Sequence, residues 1–349
     1  MKSLVRTILT LALGAFGYYS GYSQSAQVSY FGHAGYTAKF DDNPTTKNQS
    51  AFNSGGIDIL LTSEITERFT ILGEMFTGYR GDGANSVALS IERLYFKYAV
   101  NDYFNVRLGR MYTPLGFWQA RYSQAQFFQP TINAPYAVRT KYDKGILPTN
   151  SVGLQLDGEN IGKLRFSYYF MLDNTSGAPS LNTDNTDFKA ITGKLKVEPV
   201  ENLEVYVSGR RDKIVAGSVS VQGRPVAETT DQAILNAGLV HITPSSPFEI
   251  AVEYFRVSDK TANEGKTTND FMYAYLGYKI NKFVPYLQWD QLTFSDDDLY
   301  FDPNDLTGMI VGARYYIAPT AVIKVEYKYR GNETINHQDV LSLQVAARF

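Results

Sequence analysis

Between Pro114 and Thr149 four cations, Arg121, Arg139, Lys141 and Lys144, stand against a single acid, Asp143. That imbalance of +3 follows no catalytic spacing, but guanidinium and ammonium groups gathered at a narrow, low-dielectric passage focus field lines and favour anions there. The remaining reactive residues form no constellation. There is no Gly-x-Ser-x-Gly elbow, and His33, His241 and His337 are scattered along the chain. Closure of a barrel would bring His33 and His337 together, yet a pair without an assigned serine or carboxylate fails the geometry of a triad. Gly81-Asp82-Gly83 lacks the strand-to-helix setting of a phosphate loop and reads as a turn. Asp296, Asp297, Asp298, Asp302 and Asp305 could offer oxygens to Ca²⁺, but their spacing is not that of an EF-hand, and a solvated acidic loop is the plainer reading. With no cysteine there is no disulfide, thiolate metal site or thiol nucleophile, so no catalytic residue, cofactor or metal site is assigned.

The elements that must position the cations announce themselves by alternation. Leu341, Leu343, Val345, Ala347 and Phe349 fall on one face of the last segment, and Ser342, Gln344, Ala346 and Arg348 on the other. Ile323, Val325, Tyr327 and Tyr329 likewise oppose Lys324, Glu326, Lys328 and Arg330, and a soluble sandwich would seldom line one face with four successive charges. A period of two with one apolar and one charged face suits a wall between lipid and water. The pattern recurs, and sixteen strands are expected at about 27–40, 52–62, 68–80, 87–100, 104–113, 150–158, 163–173, 187–197, 203–211, 231–243, 248–257, 270–280, 283–294, 307–317, 321–330 and 337–349. The strand at 231–243 leaves open which parity faces lipid. Short turns alternate with longer polar connections, as in an all-β, transmembrane antiparallel barrel. By the same parity Arg93, Lys97, Arg107 and Arg165 point inward, as do Glu74, Glu204, Glu253, Asp290 and Glu326, while Arg110 falls on the outward parity.

Residues 1–23 carry Lys2 and Arg6 without an acid, an apolar run from Ile8 to Phe16, and then small residues, which reads as a secretory signal peptide ahead of a single domain over 24–349. The chain has a net charge of −2, which becomes −4 when Lys2 and Arg6 leave with the leader, so bulk attraction to nucleic acid is not expected. Abundant Tyr and Phe at a mean hydropathy of −0.24 fit strands that wet one face and girdle the interfaces with aromatics. No later apolar run approaches the roughly 20 residues of a transmembrane helix.

One connection breaks the rhythm. Pro114–Thr149 follows the fifth strand, spans about 36 residues, and holds Phe117, Trp118, Tyr122, Phe127, Phe128, Tyr136 and Tyr142 with four prolines. A segment of that length and composition is expected to pack and to act rather than to fill. Its entry, RLGRMYTPLGFW from Arg107 to Trp118, resembles the corresponding stretch of the phosphate-selective porin family and related sixteen-stranded porins, and the terminal Phe349 resembles the C-terminal signature of outer-membrane barrels. The resemblance implies a homotrimeric, water-filled diffusion channel in the outer membrane of a Gram-negative bacterium, its third external loop folded inward to set the constriction. Small hydrophilic solutes, anions favoured, are then the expected cargo. The candidate constriction residues are Arg121, Arg139, Lys141, Lys144, Arg93, Lys97, Arg107 and Arg165. For any one of them the competing reading is a wall ion pair that holds the loop in place, and for the channel as a whole the alternatives are a sugar-specific pore with an aromatic stacking track or a surface receptor or adhesin.

Overall fold

A computed structural model describes residues 25–41, 49–79, 87–122, 126–139, 145–176, 186–220, 222–263, 265–301, 304–332 and 338–349. Residues 1–23, expected as a signal peptide, together with Gly81-Asp82-Gly83, Lys141, Asp143, Lys144, Asp302 and His337 lie outside the described residues. Sixteen strands form one closed antiparallel barrel. They are β1 (Ser25–Asp41), β2 (Gln49–Thr66), β3 (Phe69–Tyr79), β4 (Val87–Asn101), β5 (Phe104–Tyr112), β6 (Asn150–Ile161), β7 (Phe166–Asp173), β8 (Ala190–Val200), β9 (Leu203–Ile214), β10 (Thr230–His241), β11 (Phe248–Lys260), β12 (Lys266–Tyr278), β13 (Phe283–Thr293), β14 (Leu306–Ala318), β15 (Ala321–Asn332) and β16 (Gln338–Arg348). Each pairs with its sequence neighbours, and β1 closes on β16 in the register Tyr36 to Leu343 and Thr37 to Ser342. Phe349 exchanges both backbone hydrogen bonds with Tyr30, and the two rings stack. Closure leaves no unpaired edge in the sheet. No helix among the described residues is long and apolar enough to cross a membrane.

Every expected strand is present, and alternation assigns its faces. Val325, Tyr327, Leu341, Leu343 and Val345 are exposed, while Lys324, Glu326, Lys328, Ser342 and Gln344 are buried. This inverts the rule for a water-soluble protein, because the apolar side of each strand is the outer one. The undecided strand β10 turns Leu235 and Leu239 outward and buries Gln232, Ile234, Asn236 and Val240. Its pattern was ambiguous because Ile234 and Val240 join a buried cluster inside the barrel wall, so both faces are partly apolar.

The chain has no cysteine, so a designed pair would be its only one. Thr37→Cys with Ser342→Cys places two thiols at directly opposed positions of β1 and β16. Opposed residues of an antiparallel pair lie within disulfide reach. Oxidation is expected to give a compact, reducible species on denaturing electrophoresis, and persistence of only the linear chain would contradict closure.

Candidate pore-lining site

The described residues of 113–149 are fastened to the strands by side chains of the charged parity. After β5 the chain turns at Gly116, whose φ of +78° and close approach to Glu253 (an added Cβ would lie 2.6 Å from its Oε1) leave no room for another residue. Gly116 N–H donates to Ser208 Oγ (3.3 Å) and the Lys194 ammonium donates to Gly116 O. The short helix α1 (Trp118–Tyr122) then begins over Glu253, whose carboxylate accepts from Phe117 N (2.8 Å), Trp118 N (3.3 Å) and the Tyr273 hydroxyl. Further on, Lys324 donates to Gln126 O (2.6 Å) and Gln129 O (2.7 Å), and Arg314 donates to Pro130 O (3.1 Å) while held by Glu249. Glu326 accepts from Ile132 N, Asn133 N, Asn133 Nδ2 and the Tyr286 hydroxyl, and Asp290 accepts from Tyr136 N. Wall carboxylates thus satisfy backbone N–H groups of an irregular segment, and wall cations satisfy its carbonyls. Trp118, Tyr122, Tyr273 and Tyr275 pack edge to face around the helix. Burial pushes the Tyr122 hydroxyl up to about 12, so it stays protonated at neutral pH.

All these fasteners come from β8 to β15. Between the segment and β4 to β9 a cavity of about 300 Å³ is lined by Arg93, Arg107, Arg121, Lys194 and Lys196 with Glu159 and Glu204, and by Tyr95, Tyr112, Phe117 and Tyr169. Four of its five cations are paired with acids, and Lys194 donates to the Gly116 carbonyl. Arg93 binds Glu74 (2.5 Å), Arg107 binds Asp157 (2.8 Å), Arg121 binds Glu204 (2.9 Å) and Lys196 binds Glu198 (3.4 Å). The pairs are asymmetric in exposure: the Arg93 side chain is 21% exposed against 4% for Glu74, and that of Arg107 18% against 0% for Asp157. These two pairs therefore resemble dipoles with their positive ends towards the cavity. At Arg121 burial works against the charge but Glu204 outweighs it, holding the guanidinium pKa above its usual value.

Of the eight residues singled out from sequence, Arg93, Arg107 and Arg121 meet at this cavity. Lys97 instead lines a second cavity, together with Glu67, Arg68 and Asp102 near the short turns, and the two cavities share Glu159. Arg165 lies in the turn before β7 at a φ of +45° and pairs with Glu198 (3.1 Å), so parity does not govern it. Arg139 stacks on Tyr136 beside β15 and does not line either cavity. Arg110 donates to Glu92 O (3.1 Å), at a register shift of β4. Lys194 and Lys196 were missed. The alternation of Thr192, Lys194, Lys196 and Glu198 on one face of β8 could have found them. In the acidic connection after β13, Asp296 and Asp297 are exposed, but Asp298 is buried and accepts from Thr267, Asn269, Tyr300 N and Phe301 N. That departs from a uniformly solvated loop, and among the described residues no group of acids and histidines is arranged to hold a metal.

No protein-family model and no curated protein matches the chain. Solved structures do. An anion-selective porin from Comamonas acidovorans is similar over 93% of this chain and 100% of its own, at a TM-score of 0.68 and 11% identity. The outer membrane channel DcaP of Acinetobacter baumannii is similar over 95% and 99%, at 0.65 and 12%. The trimer form of OmpT, an outer membrane protein of Vibrio cholerae, is similar over 93% and 100%, at 0.60 and 13%. The chain therefore has the fold of outer-membrane porins.

Proposed function

We propose that the chain, after loss of residues 1–23, is an outer-membrane diffusion channel for small hydrophilic solutes that prefers anions and is narrowed by an inward-folded segment 114–149. The observation that carries this reading is the cavity between that segment and β4 to β9, where five cations face two acids and where Glu74 and Asp157, the partners of Arg93 and Arg107, are withdrawn into the wall. An exposed outer belt of apolar side chains supports a membrane setting, and the trimer form of one similar barrel supports a homotrimer. The resemblance of the RLGRMYTPLGFW stretch to phosphate-selective porins supports the same reading. A sugar-stacking track is a poorer fit, because Arg93 covers the Tyr112 ring, Arg107 that of Tyr95 and Arg121 that of Phe117. Reception through outer loops is disfavoured by the way Arg224 binds carbonyls of Asp298 and Phe301, tying two long connections to each other.

At an effective dielectric near 20, one charge about 7 Å from a permeating ion contributes roughly 2 kcal/mol, which the paired acids and salt reduce. In planar bilayers under a potassium chloride gradient the reversal potential is expected to report chloride preference, lowered in Arg121→Gln and further in Arg121→Gln with Lys196→Gln. Cation preference that these variants leave unchanged would refute the anion reading.

A further inference from the structure

A group of cations points away from the pore. Arg211 on β9 is opposed to Ile191 and Ala233, and Arg256 on β11 to Leu235 and Asp270, all on the outward parity. Nearer the long connections Lys213 is opposed to Asp231, Asp231 to Lys260, and Lys260 to Lys266. Arg211, Arg256, Lys260 and Lys266 are exposed, and Lys213 lies over the Phe188 ring (Nζ 4.2 Å from the centroid). The acids of this surface are Asp231 and Asp270, and Arg256 binds Asp270 (2.8 Å). Among the described residues Arg211, Lys213, Lys260 and Lys266 form no ion pair. Five cations against two acids leave +3, on a chain whose net charge is −2. Two lysines directly opposed across a strand pair repel each other, so the surface lacks counter-charge of its own.

The surplus is confined in two directions. Along the same strands the exposed outward residues are Val207, Leu239 and Leu276 towards the middle and Val200, Phe248 and Tyr278 at the short-turn end. Around the barrel at the long-connection end, β1, β2 and β4 expose Phe40, Phe52, Val87 and Leu89 instead. Charge placed for solubility alone would not keep to one sector of one rim. Basic side chains at the edge of an apolar belt lay their stems along it and lift their charges to headgroup level, where they cost little and attract anionic lipid. We infer that the outward face of β9 to β12, through Arg211, Lys213, Arg256, Lys260 and Lys266, is a docking surface for phosphorylated lipid headgroups of the leaflet at the long-connection end. Guanidinium forks take phosphate oxygens two at a time, the ammonium groups add point charges, and Val207, Leu239 and Leu276 offer the acyl chains an apolar wall. The inference rests on the proposed membrane setting of the barrel and not on its ion preference, since no residue of this surface lines either cavity.

The test titrates the folded protein, in micelles of a neutral detergent, with lipid A, with the same glycolipid stripped of its phosphates, and with inorganic phosphate, bound lipid being read by native mass spectrometry. Phosphorylated lipid A is expected to bind saturably and the stripped form far more weakly. The midpoint should rise about fivefold for each cation removed in Arg211→Gln, in Lys260→Gln and in their combination, and Lys260→Arg should keep it. Both positions are exposed and free of ion pairs, so these variants keep the barrel intact. Lys163→Gln with Lys282→Gln, which removes exposed cations from short turns at the other end, should leave the midpoint in place. Equal binding of the two lipid forms, or one midpoint shared by all variants, overturns the surface. So does displacement of the lipid by inorganic phosphate at matching concentration, which would mark a site for free anions. In planar bilayers, ion conductance from a protein indifferent to the lipid's phosphates would sink the surface and leave the channel standing, whereas phosphate-dependent lipid binding without conductance would do the reverse.

Discussion

Replacing Glu253 with alanine is expected to give a larger and noisier single-channel current from a barrel that still folds. Glu253 is fully buried on β11, and its carboxylate receives Phe117 N, Trp118 N and the Tyr273 hydroxyl, with Asn236 Nδ2 at 3.4 Å. A hydrogen bond to a charged group contributes about 1.5–3 kcal/mol, and donors left buried without an acceptor cost a similar amount. Losing the shared acceptor therefore costs about 3–5 kcal/mol, the scale seen when one partner of a buried charged network is removed. The barrel ladders do not pass through this carboxylate, so the loss falls on the attachment of α1. Lys194, which donates to Gly116 O next door, would then lack its nearby counter-charge and loosen the same turn. The experiment pairs bilayer recordings with heat-modifiable mobility. A folded band with an unchanged, quiet unitary current would show that segment 114–149 does not set the conductance.

Lysine at Val325 or Leu343 should impair folding more severely than any lumen substitution above. The two residues are directly opposed on β15 and β16, each about two-fifths exposed on the apolar outer face. A basic side chain at the bilayer midplane of such a wall costs about 2–4 kcal/mol, and two like charges across a strand pair repel as well. In the double variant the summed penalty consumes much of the stability of an ordinary domain. Urea unfolding in lipid vesicles should show a lower midpoint for each single variant and little folded protein for the double. Midpoints equal to the unmodified protein would mean that this face does not meet lipid.

The sixteen strands were legible because each separates an apolar from a charged face, and Ile323 to Arg330 shows the separation most plainly. The contrast weakens where the buried face carries apolar residues of its own, and at 231–243 it left the facing open. On β10, Ile234 and Val240 are buried among Gln232 and Asn236, and on β12 Phe271, Tyr273 and Tyr275 follow Thr267 and Asn269, so the inward parity mixes apolar with polar residues. Turns mislead for another reason. Arg165 follows a strand-like pattern, but Gly162 and Arg165 adopt positive φ and end the pairing, a backbone choice that side-chain alternation does not encode. The cations of 114–149 were visible as an excess, but their division between the central cavity (Arg121) and Tyr136 (Arg139) was not. That division depends on which carboxylates of distant strands capture the backbone, and Glu253 and Glu326 looked from sequence like intruders in a basic pore. They are anchors instead.

The fasteners of segment 114–149 lie far along the chain: Ser208 and Glu253 are 92 and 136 residues beyond their partners, and Glu326 and Lys324 are 194 and 195 beyond Ile132 and Gln129. Contacts of such high sequence separation form late, after the loops they close have been ordered. The segment consequently cannot settle until the strands carrying Lys324 and Glu326, near the end of the chain, have joined the wall. The final strands therefore both seal the seam of the barrel and hold the segment to its wall. On the proposed reading, narrowing of the channel is the last property this chain acquires, and it waits on the arrival of the C-terminal strands.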